Sequence, residues 1–170
     1  YQLCADILEL LPKLRCSEII TLGGIGLQDV PKTPKVYCTG TSQKIIDYYT
    51  KDTKANSKIY GVVGPIVGVT GLFLGLVSRN NSLNSAANKS ADEIQAVTLL
   101  AETIGHPMYL GVKGATEILK ILEKKLDLKI NIKELDKEIR DIEEEMLKTT
   151  QELSEIGKDI NTKKLKGKGS

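Results

Sequence analysis

The chain has 170 residues, 41% apolar and 27% charged, and its 24 basic and 22 acidic side chains leave a net charge of +2. That composition suits one domain with an appendage and gives no electrostatic reason to expect nucleic acid as a partner. Cys4, Cys16 and Cys38 form an odd set without metal-ligand spacing, which reads as reduced, half-buried thiols in a cytoplasmic protein. No signal peptide is visible, and a start at Tyr1, inside a helical pattern, reads as a fragment or processed form.

In residues 1–14, Leu3, Ile7, Leu10, Leu11 and Leu14 share one face, predicting an amphipathic helix that ends around Pro12–Arg15. Residues 17–25 form a short apolar run closed by Gly23-Gly24, predicting a buried strand. Pro31 and Pro34 mark a loop, and residues 36–39 the next strand. Ser42 is placed to cap a helix through Ile45, Ile46 and Tyr49. A third strand is expected over 59–63, then a turn at Gly64-Pro65 and a Gly-spaced helix to about Val77. Residues 79–92, rich in Asn, Ser and Ala, read as a polar connection. Residues 94–102 predict another buried strand, His106-Pro107 a loop, and 114–126 a helix. Strands alternating with helices point to an α/β sandwich with a mainly parallel sheet.

Asn131 with Glu134 resembles a capping box at the start of a final long helix. Along it, Ile132, Leu135, Ile139, Ile142, Met146, Thr149, Leu153, Ile156 and Ile160 follow in steps of three and four. This is the a/d seam of a helix that docks on a partner helix. A connection of roughly five residues favours an antiparallel hairpin with the helix before it. Ile118, Ile121, Leu122 and Leu126 would then meet Ile132, Leu135 and Ile139. The far seam, Ile142, Met146, Thr149, Leu153 and Ile156, outruns that partner and is the candidate contact surface for another subunit or protein. Lys163, Lys164, Lys166 and Lys168 make 161–170 a basic, flexible tail.

Four features of the sequence bear on other chemistry. Residues 59–78 carry no charge and have the length of a membrane span, but five glycines and Pro65 favour a strand, turn and close-packed helix. The Gly64–Thr70 and Leu22–Gly26 turns resemble phosphate loops in outline. The first lacks a lysine and the second lacks a following helix, so glycine for turn geometry and packing explains both. His106, the one histidine, lies near a strand end beside Glu102 and Thr103, and no nucleophile–base set or metal cluster can be assembled from spacing.

Several stretches, taken together, resemble a known family: Leu99-Leu-Ala-Glu-Thr103 with Gly105-His-Pro-Met-Tyr-Leu110; Ala115 with Ile118, Leu119 and Leu122; Ile19-Ile-Thr-Leu-Gly-Gly24 followed by Pro34, Val36 and Tyr37; Gly68 with Gly71-Leu72; and Ile130-Asn-Ile132 with Leu135. In this order and spacing the chain is similar to proteasome assembly chaperones of the PAC2 type, in their archaeal branch. The resemblance implies a three-layer α/β/α sandwich shaped like purine nucleoside phosphorylases without their catalytic residues, carrying a protruding C-terminal helical hairpin. It further implies a homo-oligomer that assists assembly of the 20S proteasome α-ring by binding α-subunits without ATP. No cofactor, metal, nucleic acid or membrane is expected.

Two departures stand out. Family members usually begin with an extra strand and Gly-rich loop before the first helix, so either the sequence is truncated or the sheet has an exposed edge. The ending Gly167-Lys-Gly-Ser170 is not the hydrophobic-Tyr-any tail with which some assembly chaperones dock. The expected organisation is a sandwich over 1–126, a long helix over 127–160 and the tail over 161–170. The rivals are a nucleoside-phosphorylase-like enzyme, for which Arg15, Arg79 and Arg140 are the only available arginines, and a membrane-associated protein through 59–78.

Overall fold

The computed structural model describes residues 1–29, 31–61, 64–86, 93–105, 111–131, 141–142 and 145. The elements run α1 (Gln2–Leu10), a 3-10 turn (Pro12–Leu14), β1 (Glu18–Leu27), β2 (Val36–Gly40), α2 (Gln43–Thr50), β3 (Ala55–Asn56), α3 (Gly68–Ala86), β4 (Gln95–Ile104) and α4 (Val112–Leu126). The sheet order is β1-β4-β2-β3. β1 runs parallel to β4 and β2 parallel to β3, while β2 and β4 are antiparallel, so the sheet is mostly parallel.

β4 organises the molecule because it is covered on both faces. Ala96 through Ala101 are all buried, the near-continuous apolar run of a strand sandwiched between helices. Its alternation divides the core in two. Val97, Leu99 and Ala101 pack with Val36, Cys38, Ile45, Tyr49, Ile118 and Ile121 under α2 and α4. Ala96 packs with Cys4, Leu8, Phe73, Leu76 and Val77 under α1 and α3. The result is the expected three-layer α/β/α sandwich. The polar exception in β4, Thr98, is fully buried and meets Thr21 of β1 hydroxyl to hydroxyl at 2.7 Å.

Local signals explain the helices. Ser42 Oγ accepts the Ile45 amide at 3.3 Å, the N-cap read from the sequence. Pro12 halts α1 and opens the 3-10 turn, which ends at Arg15 in the left-handed region. Asp127, also left-handed, stops α4.

Three expectations are corrected. The third strand is Ala55–Asn56, and residues 59–61 are not extended into the sheet. The helix that follows begins at Gly68 and runs past Val77 to Ala86, so the Asn/Ser-rich stretch is helical for its first eight residues, 79–86. Asn81 explains part of that continuation, because its side-chain amide donates to the Ile94 carbonyl at 2.8 Å and ties α3 to the entry of β4. β1 does not close at Gly23-Gly24 but continues to Leu27. Added Cβ atoms at those glycines would come within 2.8 Å of Leu100 Cδ2 and 2.9 Å of Thr103 Cγ2. These glycines permit close strand packing rather than a turn.

Candidate functional site

The C-terminal ends of the parallel strands β1 and β4 meet α4, and there the surface is concave and apolar. The cleft has a volume of about 600 Å³ and is walled by Leu22, Ala101, Val112, Ala115, Leu119 and Leu122. Two glycines shape it. Gly111 takes a left-handed φ of 65° to start α4, lying over Thr103 Oγ1. Gly114 lets the helix descend onto β4, since a Cβ there would come 2.9 Å from the Glu102 carbonyl. Among the described residues, Thr103 Oγ1 is the buried side-chain polar atom without a hydrogen-bond partner.

α4 is held firmly at its far end. Tyr48 OH donates to the Lys125 carbonyl at 2.8 Å, and Lys125 Nζ lies 4.8 Å from the Tyr48 ring centroid while donating to the Lys51 carbonyl at 2.6 Å. Lys124 Nζ donates to the Asp52 carbonyl. On the sheet side Gly114, Ile118 and Ile121 are buried. Leu122 is half-buried and packs against the same core, while on the outward side Leu119 is half-buried and Leu126 is 44% exposed. Leu22, on β1, is 51% exposed. β1 pairs on one side with β4 and is an edge among the described strands.

The titratable groups near the core are structural. Glu102 accepts from the Lys35 amide at 3.0 Å and from Tyr37 OH at 3.2 Å, joining the start of β2 to the end of β4. Burial, and then this carboxylate, raise the Tyr37 phenol. Tyr49 is fully buried, donates to Glu18 and is raised by burial and that bond. Burial pushes the Cys38 thiol up to about 12, which suppresses the thiolate a nucleophile needs. No group of three or more His, Cys, Asp or Glu side chains among the described residues could hold a metal ion.

The structure sorts the sequence candidates as follows. Ile142 is helical and 42% exposed, while Met146, Thr149, Leu153 and Ile156 lie outside the described residues, as do His106 and Arg140. Arg15 and Arg79 are exposed. A second, more polar cleft of about 760 Å³ has Arg15 on its wall beside Asn80, Asn81 and Asn84 of α3. In the Gly64–Thr70 turn Gly68 takes a left-handed φ of 79° with open space around it, and at Gly71, just beyond, a Cβ would fall 1.9 Å from the Ile66 carbonyl oxygen, so turn geometry and close approach account for these glycines. No helix among the described residues is long and apolar enough to cross a membrane.

Of the hairpin positions on α4, Ile118 and Ile121 are buried in the core with Leu122 packed against it, while Ile132, Leu135 and Ile139 lie outside the described residues. Val112, Ala115, Leu119, Leu122 and Leu126 repeat the three-and-four spacing of the C-terminal seam.

Comparison with known proteins agrees with this fold. The chain is 27% identical, over 162 residues and 89% of its length, to the uncharacterised protein MJ1210 of Methanocaldococcus jannaschii, of which it covers 56%. It superposes on Pyrococcus furiosus PbaB, an archaeal proteasome activator, with a TM-score of 0.69 at 24% identity, covering 87% of this chain and 57% of that one. Pyrococcus furiosus PbaA, an archaeal homolog of proteasome-assembly chaperone, gives 0.66 at 21% identity, covering 98% and 63%. The chain thus spans little more than half the length of these proteins. The PAC2 family model matches residues 1–150, and the chain belongs to the PAC2 family.

Proposed function

We propose that this chain is a proteasome assembly chaperone: a cytoplasmic, ATP-independent, non-enzymatic scaffold that works as a homo-oligomer and binds 20S proteasome α-subunits. The observation that carries this reading is PAC2 membership over residues 1–150, supported by a fold like those of PbaA and PbaB. The surface chemistry is compatible with it. Exposed apolar side chains, Leu22 and Leu126, flank the cleft beside α4 and suit protein contacts, and the deep thiol and phenols are tuned away from reactivity. A symmetric oligomer would present several identical docking surfaces and gather partner subunits at high effective concentration.

In this reading the sandwich, 1–126, carries a helical arm over 127–160 and a basic tail over 161–170. The arm's far seam (Ile142, Met146, Thr149, Leu153 and Ile156) makes the contact, and the exposed, helical Ile142 supports its first position. Native mass spectrometry of the protein alone and with proteasome α-subunits tests the proposal. Met146→Asp combined with Leu153→Asp is expected to lower the oligomer mass or abolish α-subunit binding while circular dichroism stays native. Unchanged mass and binding would reduce the seam to internal packing.

A further inference from the structure

The more polar cleft lies where β1 and β4 begin, at the opposite end of the sheet from the cleft beside α4. Its volume of about 760 Å³ falls among those of pockets that enclose small ligands. The buried Leu8 of α1 and Val77 of α3 give it an apolar patch. Along α3, Val77, Asn80, Asn81 and Asn84 then share one helical face, which changes from hydrocarbon to amide. Asparagine is a poor helix former, so three within five residues are unfavourable unless their amides are used. Asn81 is used, holding the Ile94 carbonyl at 2.8 Å. The side chains of Asn80 and Asn84 make no hydrogen bond among the described residues.

Two charges complete the wall. Arg15 ends the 3-10 turn at a left-handed φ of 56°, a conformation that glycine adopts at less cost, and its guanidinium has no partner among the described residues. Glu93, just before β4, is likewise unpaired among them. One cation and one anion leave this lining without net charge, which disfavours a polyanion such as a nucleotide. We propose that the cleft binds the carboxyl-terminal end of a peptide. The Arg15 fork takes the terminal carboxylate. The Asn80 and Asn84 amides, each able to donate and accept, pair with the peptide units. An apolar side chain of the ligand covers Leu8 and Val77, and Glu93 selects against a second negative charge. The assignment is independent of the C-terminal seam and of the proteasome reading.

Proton–nitrogen correlation NMR of the full chain tests this with the peptide acetyl-Ala-Ala-Leu bearing a free carboxylate. Saturable shifts are expected at the Asn80 and Asn84 side-chain amides and at Arg15 Nε, at peptide concentrations up to about 10 mM. Arg15→Gly suits the left-handed backbone and so keeps the fold, and it is expected to weaken binding about tenfold or more. The same peptide capped as its carboxyl-terminal amide should lose a similar factor. Asn84→Ala, a change that favours the helix, gives a second variant with a loss of about threefold. The proposal is overturned by the absence of saturable shifts at these side chains, by binding unchanged in Arg15→Gly, or by equal binding of the amidated peptide. Inorganic phosphate binding as tightly as the peptide would also overturn it, by marking a general anion site.

Discussion

The two sides of α4 have nearly the same residue types and opposite roles. Ile118 and Ile121 are 5% and 3% exposed, interlocked with Val97, Leu99 and Ala101 of β4. Leu126, five residues further along, faces outward and is 44% exposed, with the half-buried Leu122 packed at the border between the two sides. Composition therefore does not distinguish the buried from the exposed side of this helix. What distinguishes them is Gly114, which brings one face of the helix within contact of β4 and leaves the other beside the open cleft.

Substitutions on the two sides should separate sharply. Leu99→Ala, at the centre of the inner face and fully buried, should cost about 3–5 kcal/mol in urea unfolding, since β4 is clamped on both sides and cannot collapse around the void. Ile121→Ala should cost about 2–4 kcal/mol by the same measurement. If it costs under 1, α4 is only loosely docked and the distinction between its faces fails.

Alkaline pH probes the inner face in another way. Burial holds the Cys38 proton up to about 12 in the folded protein, against an ordinary value of 9.0. The unfolded thiol ionises first, so stability should be level below pH 9 and fall progressively as pH rises toward 12. Burial and Glu18 raise the Tyr49 phenol and act in the same direction. Urea midpoints measured from pH 7 to 11 check this. A midpoint that rises with pH would contradict the sign.

Ser42→Ala should remove the α2 cap and cost about 1 kcal/mol, read as a lower melting temperature. The smallest effect belongs to the outer side. Leu22→Ser, at 51% exposure, should change stability by less than about 0.5 kcal/mol, while a binding role for this surface would appear only in partner or self-association assays.

Much of this was legible in the chain. The periodicity of residues 1–14 announced α1, Ser42 announced α2, and the apolar run at Val97–Ala101, interrupted only by Thr98, announced the central strand. The misplaced third strand has a physical cause. Residues 59–63 look more strand-like than Ala55–Asn56, but β3 is defined by two register positions against β2 that no local pattern encodes. The end of α3 was missed because Asn and Ser favour caps and turns by propensity. In the folded chain, Asn81 instead bonds across to Ile94. The candidate site was half legible: the C-terminal seam shows as a pattern in the sequence, whereas the apolar cleft beside α4 depends on how that helix meets β1 and β4.

The sequence alone determined the types of most elements and the α/β class, because these follow from side-chain periodicity within a few turns or one strand. Only the tertiary structure decided the order β1-β4-β2-β3, the depth at which Cys38 and Tyr49 lie, and which of the two stripes on α4 the sheet would take. Those choices depend on contacts between residues distant in sequence, such as Gly114 against Ala101 and Glu102, where the absence of one Cβ sets which side of the helix approaches the sheet.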